Sequence, residues 1–166
     1  YYQLSKVNLK QGALMPAYAD LMRVVDLQPG NLPARIDLGN LLLAGKQPDK
    51  AADQANAVLA VQSNNADAYA LLSSIAASKN DRAGELTQIQ KALAIDPNRA
   101  AFHTTLGLLQ STDPATAAAG EDQLRKAVSL DPKSVTAAMF LASILERKGD
   151  LPGAQQQLLA AKSAEP

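Results

Sequence analysis

Ile95-Asp96-Pro97-Asn98-Arg99 is a loop sequence that this chain repeats, with substitutions, at a regular interval. Its other versions are Leu27-Gln28-Pro29-Gly30-Asn31, Val61-Gln62-Ser63-Asn64-Asn65 and Leu130-Asp131-Pro132-Lys133-Ser134, and Ala164-Glu165-Pro166 begins another. Their third positions are 29, 63, 97, 132 and 166, so the successive steps are 34, 34, 35 and 34. A fixed period of this length is typical of proteins built from stacked repeats.

Two further series keep the same step. One is a leucine followed by a small residue: Leu4-Ser5, Leu38-Gly39, Leu72-Ser73, Leu106-Gly107 and Leu141-Ala142. The other is Ala17, Ala51, Glu85, Gly120 and Ala154. Because the first series reaches Gly107 without a shift and the second has shifted by Gly120, the extra residue falls in the turn around Ser111-Thr112-Asp113-Pro114.

Composition predicts an all-α fold. Apolar residues make up 47% of the chain but aromatic residues only 4%, and the apolar content is mainly Ala, Leu, Val and Ile. Alanine and leucine lose little side-chain freedom in a helix, so this bias favours many helices packed closely through small side chains.

Charge and cysteine content exclude several classes of function. Sixteen basic and sixteen acidic residues cancel, and no segment concentrates Lys or Arg, so neither nucleic acid nor an anionic membrane surface is an expected partner. No run of apolar residues is long enough to span a membrane. The absence of Cys removes disulfides, zinc–thiolate sites and cysteine nucleophiles, and it suits either the cytoplasm or a periplasm.

No grouping of residues predicts catalysis, a metal or a cofactor. His103 is the only histidine, and it occupies the position equivalent to Tyr69 one repeat earlier, so we expect it to pack. The pair Glu121-Asp122 is interpreted as the start of a helix, where carboxylates favour the positive end of the dipole. Lys6, Lys10 and Lys46 indicate a solvated face. We predict a protein that is not an enzyme.

The repeat resembles the tetratricopeptide repeat (TPR) family, whose period is about 34 residues. The family pattern is read in the third repeat at Tyr69, Leu72-Ser73, Ala76, Glu85, Ile89, Ala92 and Pro97, and in the fifth at Ala138, Leu141-Ala142, Leu145, Ala154, Leu158, Ala161 and Pro166. Departures from the pattern are Ser63 for the closing Pro, Glu85 and Gly120 for the small Ala, and Ala138 for the large opening residue, and we expect them to weaken individual repeats.

The resemblance implies a right-handed superhelical solenoid of five helix-turn-helix repeats, or about ten helices. We expect one array over residues 1–166, with repeats at 1–31, 32–65, 66–99, 100–134 and 135–166. Asn31, Asn65 and Ser134 are predicted to cap the helices that follow them. Since the chain opens at Tyr1-Tyr2 without an initiator Met or a signal peptide, we expect it to be a segment of a longer protein.

The same resemblance implies a partner that is a protein or peptide, held along the first helices of the repeats. By family register the groove positions are Ile36, Asn40, Leu43, Asp67, Ala70, Ser74, Ala77, Ala101, Thr104, Leu108, Ser111, Thr136, Met139, Ser143 and Glu146. In the alternative interpretation, these residues only solvate the inner wall and another surface binds. Some relatives grip a terminal carboxylate with a Lys/Arg/Asn clamp, but of the equivalent positions only Asn40 matches, so we predict recognition without that clamp.

The biological setting is left to two hypotheses. The sequences of the repeats are similar to those of TPR proteins of bacterial envelope, exopolysaccharide-export and protein-sorting systems. This similarity slightly favours a bacterial periplasm or outer-membrane association over the cytoplasm. The alternative is an accessory TPR domain of a larger enzyme such as a transferase. End-to-end self-association or a continuing solenoid is also predicted, because Leu158 and Leu159 in the last hairpin would otherwise lack part of their cover.

Overall fold

The computed structural model describes residues 1–163, and the regular elements in that range are all α-helices. In chain order they are α1 (Tyr2–Lys10), α2 (Leu14–Leu27), α3 (Leu32–Ala44), α4 (Pro48–Val61), α5 (Ala66–Ser78), α6 (Arg82–Ile95), α7 (Ala100–Ser111), α8 (Ala117–Leu130), α9 (Val135–Arg147) and α10 (Leu151–Ser163). They pair as five consecutive hairpins, which confirms the all-α class and the prediction of about five helix-turn-helix repeats. The last loop segment, Ala164-Glu165-Pro166, lies outside the described residues.

The helices belong to two compact units, and the division falls between Ile95 and Asp96. The first unit, Tyr1–Ile95, contains the hairpins α1–α2, α3–α4 and α5–α6. The second begins at Asp96 and contains α7–α8 and α9–α10. The prediction of one array over residues 1–166 concerns both units together and stays a prediction.

Side-chain caps begin three of the first helices where the sequence predicts them. The Oδ1 atoms of Asn31 and Asn65 accept hydrogen bonds from the backbone N–H groups of Ala34 and Ala68, at 3.2 and 2.9 Å. Ser134 Oγ accepts from Ala137 N at 3.3 Å. Each bond pairs a backbone donor that the first helical turn leaves without a partner, which fixes the residue at which the helix begins.

Four of the five turns inside the hairpins contain a left-handed residue at the same register. Gly12, Lys46, Asn80 and Gly149 have φ angles of 70°, 57°, 57° and 82°. In the fourth repeat the link between α7 and α8 runs from residue 112 to residue 116, longer than the three-residue links of the other hairpins. The extra residue of that repeat therefore lies in this turn, as the spacing predicts.

The small residue after each leucine lies where helices touch. Ser5, Gly39, Ser73, Gly107 and Ala142 are all buried. A Cβ atom at Gly107 would lie 2.8 Å from the carbonyl oxygen of Gly120 on the second helix of the same hairpin. At Gly39 the nearest atom to such a Cβ would be Leu71 Cδ2, on the first helix of the next hairpin. The small side chain thus permits close contact within a hairpin at Gly107, and with the following hairpin at Gly39.

Each unit has its own apolar core. In the first unit Leu21, Leu38 and Leu71 are almost fully buried, with Tyr2 and Tyr18 packed against the cluster that contains them. In the second, Leu124, Leu141, Leu145 and Ala154 form the cluster. Neighbouring hairpins in a unit contribute to the same cluster, which explains why a single hairpin would leave its apolar face uncovered.

Candidate functional site

Three of the predicted groove residues in the first unit come together at one cavity. Ile36 and Asn40 on α3 and Asp67 at the start of α5 line a space of about 460 Å³. The remaining lining residues are Gly30, Leu32, Pro33, Asp37, Gln62 and Asn65. A space of this size accommodates one or two side chains of a bound segment.

The other predicted positions of the first unit lie along the first helices outside this cavity. Leu43 and Ala70 are half-buried, and Ser74 and Ala77 are exposed. Ser74 Oγ donates to the carbonyl oxygen of Ala70 at 3.1 Å, so its proton is engaged within α5. This stretch offers a partner mostly small side chains and little charge.

A tyrosine from α1 borders the same face. Tyr2 Oη donates to Asp37 Oδ2 at 3.0 Å, and Lys6 Nζ lies 4.5 Å from the centre of the Tyr2 ring. Burial, the hydrogen bond to Asp37 and the nearby negative charge raise the pKa of Tyr2 to about 12. The phenol therefore stays protonated and holds the Asp37 carboxylate beside the cavity.

In the second unit the predicted positions occupy the exposed side of α7 and α9. Ala101, Leu108, Thr136, Met139 and Ser143 are exposed, as is Glu146. Thr104 Oγ1 donates to Ala100 O at 3.0 Å, within its own helix. Ser111 lies at a different cavity, beside the turn between α7 and α8, which Glu121 and Lys148 also line. The structure therefore separates it from the other predicted groove positions of this unit.

His103 lies in a structural contact that recurs along the chain. Its Nε2 lies 2.9 Å from the carbonyl oxygen of Pro97, six residues earlier, and its Nδ1 lies 2.7 Å from Gln123 Oε1 on α8. Arg35 and Tyr69, at the equivalent positions, donate to the carbonyl oxygens of Pro29 and Ser63 at 2.8 and 3.1 Å. In these three repeats the position therefore links the start of the first helix to the preceding loop, which agrees with the predicted packing role of His103.

The interpretation of Glu121-Asp122 as the start of a helix is wrong. Helix α8 begins at Ala117, so its first turn contains no acidic residue. Glu121 is buried and accepts hydrogen bonds from Arg125 Nη2 at 2.7 Å and from Lys148 Nζ at 2.5 Å. Ion pairs with Arg125 on the same helix and with Lys148, the C-cap residue of α9, compensate this carboxylate, and not the helix dipole.

These contacts predict a pH-dependent contribution to stability. The hydrogen bond from Lys148, against the opposing effect of burial and with help from Arg125, lowers the pKa of Glu121 from its ordinary value of 4.5. A lowered folded-state pKa stabilises the fold above the ordinary carboxyl pKa, and that stabilisation is lost as pH falls through the folded value. We expect Glu121→Gln to lower Tm at neutral pH by roughly 2–4 °C, for a loss of about 1 kcal/mol.

Thermal denaturation at several pH values checks this expectation. The difference between the wild type and Glu121→Gln should shrink as pH falls below the ordinary carboxyl pKa. The neighbouring exposed Asp122→Asn is the matched control and should change Tm little. A Glu121→Gln effect that stays constant down to strongly acidic pH would contradict the ion-pair account.

A second cavity of the first unit is absent from the sequence prediction. It has a volume of about 400 Å³ and is lined mainly by Leu14, Met15, Tyr18 and Leu41, with Lys50 at its edge. The repeat pattern includes neither Leu14 nor Met15, so it gives no indication of a cavity there, and both side chains are exposed.

Comparison with known proteins identifies the class of repeat. Tetratricopeptide repeat models match residues 9–75 and residues 108–166, which together make up most of the chain. The chain belongs to the tetratricopeptide repeat family, whose members act as protein-interaction scaffolds. Among curated protein sequences, none matches this chain.

Solved structures of TPR proteins share the fold. A thermophilic TPR protein of Thermus thermophilus superposes with a TM-score of 0.82 at 19% identity, covering 99% of this chain and 89% of the other. MamA of Desulfovibrio magneticus gives 0.71 at 20% identity, covering 99% and 92%. YrrB, described as a TPR protein with an unusual peptide-binding site, gives 0.63 at 17% identity, covering 98% and 83%.

Within the described residues, no helix is both long and apolar enough to cross a membrane.

Proposed function

We propose that this protein is a non-catalytic scaffold that holds an extended or helical segment of another protein in a groove along its first helices. The observation that supports this most is the cavity at which Ile36, Asn40 and Asp67 meet, since these positions come from two successive first helices. The description of YrrB as peptide-binding agrees with a peptide ligand. We further propose a bacterial envelope assembly or export system as the setting.

The chemistry of the groove positions sets the character of the ligand. Two carboxylates, those of Asp37 and Asp67, border the cavity of the first unit. A C-terminal carboxylate placed there would lose hydration without gaining a Lys or Arg partner from the cavity lining. The ligand we propose is held by apolar contacts and backbone hydrogen bonds, with Asn40 as the main polar contact.

Selection of short random peptides on the immobilised chain, followed by calorimetry, tests this function. We expect selected peptides to bind with micromolar affinity. The affinity should depend weakly on salt concentration, because neutral contacts dominate. Amidation of the peptide C-terminus should leave the affinity unchanged. Binding that disappears on amidation would contradict the proposed recognition, and failure to select any peptide would contradict the proposed function.

The alternative function, an accessory TPR domain of an enzyme such as a transferase, predicts a catalytic domain in the same gene. The sequence of the full-length gene distinguishes the two hypotheses.

A face of α10 supports self-association as a second proposal. Leu158 is 41% exposed, whereas Leu124, its equivalent on α8, is fully buried. Helix α9 packs against α8 in the same unit, so a first helix is the kind of element that covers this face. Leu4 and Val7 on α1 are about half exposed, and we propose that α1 of a second copy packs against α10.

Sedimentation velocity of the isolated 166-residue chain tests the association. We expect the mean mass to rise with concentration, because each contact leaves an end open for a further copy. Leu158→Asp should return the chain to a monomer, whereas Gln156→Asp on the same helix should have a smaller effect. A strict monomer at the highest soluble concentration would contradict the proposal.

A further inference from the structure

The second cavity of the first unit occupies a position that recurs in the repeat. It lies between the first turns of a second helix, α2, and the C-terminal end of the next first helix, α3. We call this space the turn notch, lined by Leu14, Met15, Tyr18, Leu41 and Lys50. The notch lies at the ends of the helices, away from the cavity that contains Ile36 and Asn40.

Ion pairs lie at the equivalent position in two other places. Lys79, the C-cap residue of α5, donates to Asp49 Oδ1 on α4 at 2.7 Å. In the second unit Lys148, the C-cap residue of α9, donates to Glu121 on α8. In both places a lysine at the end of a first helix reaches an acid on the preceding second helix.

The turn notch lacks both halves of this bridge. The C-cap residue of α3 is Gly45, which stands one repeat before Lys79. Met15 takes the place of Asp49, and Tyr18 takes the place of Glu121. The equivalent cavity of the second unit, about 350 Å³, contains the Lys148–Glu121 pair, whereas the turn notch has an apolar lining in its place. The side chains of Leu14 and Met15 are 52% and 76% exposed.

The edge of the notch carries positive charge. Lys50 lines it and makes no ion pair within residues 1–163. The adjacent carboxylate of Asp49 is engaged by Lys79. Within the same described range, the Tyr18 hydroxyl makes no hydrogen bond and is available to a ligand.

We propose that the turn notch binds a segment of another protein in which a bulky apolar side chain stands next to a carboxylate. The apolar side chain fills the space between Leu14, Met15 and Leu41, and the carboxylate pairs with Lys50. A volume of about 400 Å³ holds one or two such side chains. This site is separate from the groove along the first helices, and the proposal does not depend on that groove.

The three methionines of the chain provide the readout. Met15 lies in the notch, Met22 lies two turns further along α2, and Met139 is one of the predicted groove positions. The methyl groups of these methionines are labelled with ¹³C and observed by NMR. The ligand added to the protein is a blocked tetrapeptide of two leucines followed by two aspartates. We expect a saturable shift of the Met15 signal at millimolar peptide and little change at Met139. A peptide with lysines in place of the aspartates should bind at least about fivefold more weakly.

Two variants separate the notch from a non-specific surface. Lys50→Glu keeps the Met15 reporter and should reverse the preference between the two peptides. Met15→Asp combined with Gly45→Lys copies the Asp49–Lys79 pair into the notch, and calorimetry should then detect no binding of the aspartate peptide. A Cβ at Gly45 would meet no atom closer than 3.4 Å, and Met15 is exposed, so this double variant should fold.

Three results would overturn the proposal. They are a Met15 signal that does not move up to the solubility limit of the peptide, a shift at Met139 without one at Met15, and equal affinity for the aspartate and lysine peptides.

Discussion

Gly107→Leu should destabilise the protein by about 3 kcal/mol or more, the largest effect we expect from a single substitution. A Cβ at this position would lie 2.8 Å from both Gly120 O and Leu124 Cγ, and 3.1 Å from Leu124 N. Two of these three atoms are backbone atoms of α8, so the helices must separate to admit a leucine. Circular dichroism should show a Tm lower by about 6–12 °C or loss of the folded state.

Graded substitutions make the same test sharper. Gly107→Ala should still destabilise, because the close atoms include backbone atoms of α8, which cannot rotate away as a side chain can. Gly39→Ala should cost less, because the closest atom is the end of the flexible Leu71 side chain and because Ala favours a helix by about 1 kcal/mol. Gly39→Leu should again destabilise strongly, whereas Gln156→Leu on the exposed side of α10 should not. Equal melting temperatures for Gly107→Leu and Gln156→Leu would contradict the assigned helix contacts.

Leu124→Ala should cost about 2–5 kcal/mol, the second-largest effect. Leu124 is fully buried in the core cluster of the second unit, so its removal leaves a cavity that the neighbouring side chains fill only in part. Leu158, at the equivalent position on α10, is 41% exposed. Because folding buries less of the apolar surface of Leu158, Leu158→Ala should lower the free energy of unfolding by less than about 1.5 kcal/mol.

Urea denaturation of both variants measures this difference. The denaturation midpoint should fall much further for Leu124→Ala than for Leu158→Ala, with similar slopes. The measurement is made at a protein concentration at which the chain is a monomer. Equal losses there would show that the face of α10 is as well covered within one chain as that of α8, and would remove the structural basis for self-association.

The order of the helices could be predicted from the sequence because the repeat fixes many positions at once. Loop segments, caps such as Asn31 and the leucine before each small residue all recur at the same step, and local chemistry determines what each does. The extra residue of the fourth repeat could be placed for the same reason. The division at Ile95 could not, since it depends on packing between whole hairpins.

Contacts between distant residues account for what the sequence did not predict. Gly120 departs from the family pattern, which predicts a weakened repeat, yet a Cβ there would lie 2.6 Å from Ser111 N and 2.8 Å from Gly107 O. Glycine is therefore required by the close approach of α7 and α8. The sequence alone favours a helix start at Glu121, because carboxylates favour that position and because its partner Lys148 lies 27 residues away.

In the candidate site, too, family register predicts some positions correctly and misplaces others. Family register places Ile36, Asn40 and Asp67 together, and the structure brings them to one cavity. Register also includes Ser111, which lies instead at the turn edge, because the longer turn follows it directly. The turn notch could have been suspected from one signal, the replacement of a recurring lysine by Gly45.

The most direct test of the proposed groove compares matched substitutions on first and second helices. Asn40→Arg and Ser143→Arg place a large charge on exposed positions of α3 and α9, and Asn56→Arg and Ser129→Arg do the same on α4 and α8. For a peptide selected on the wild-type chain, calorimetry should show at least one first-helix variant weakened by about tenfold or more, with both second-helix variants unchanged. Unchanged affinity in both first-helix variants, with a loss at Asn56→Arg or Ser129→Arg, would contradict a groove along the first helices.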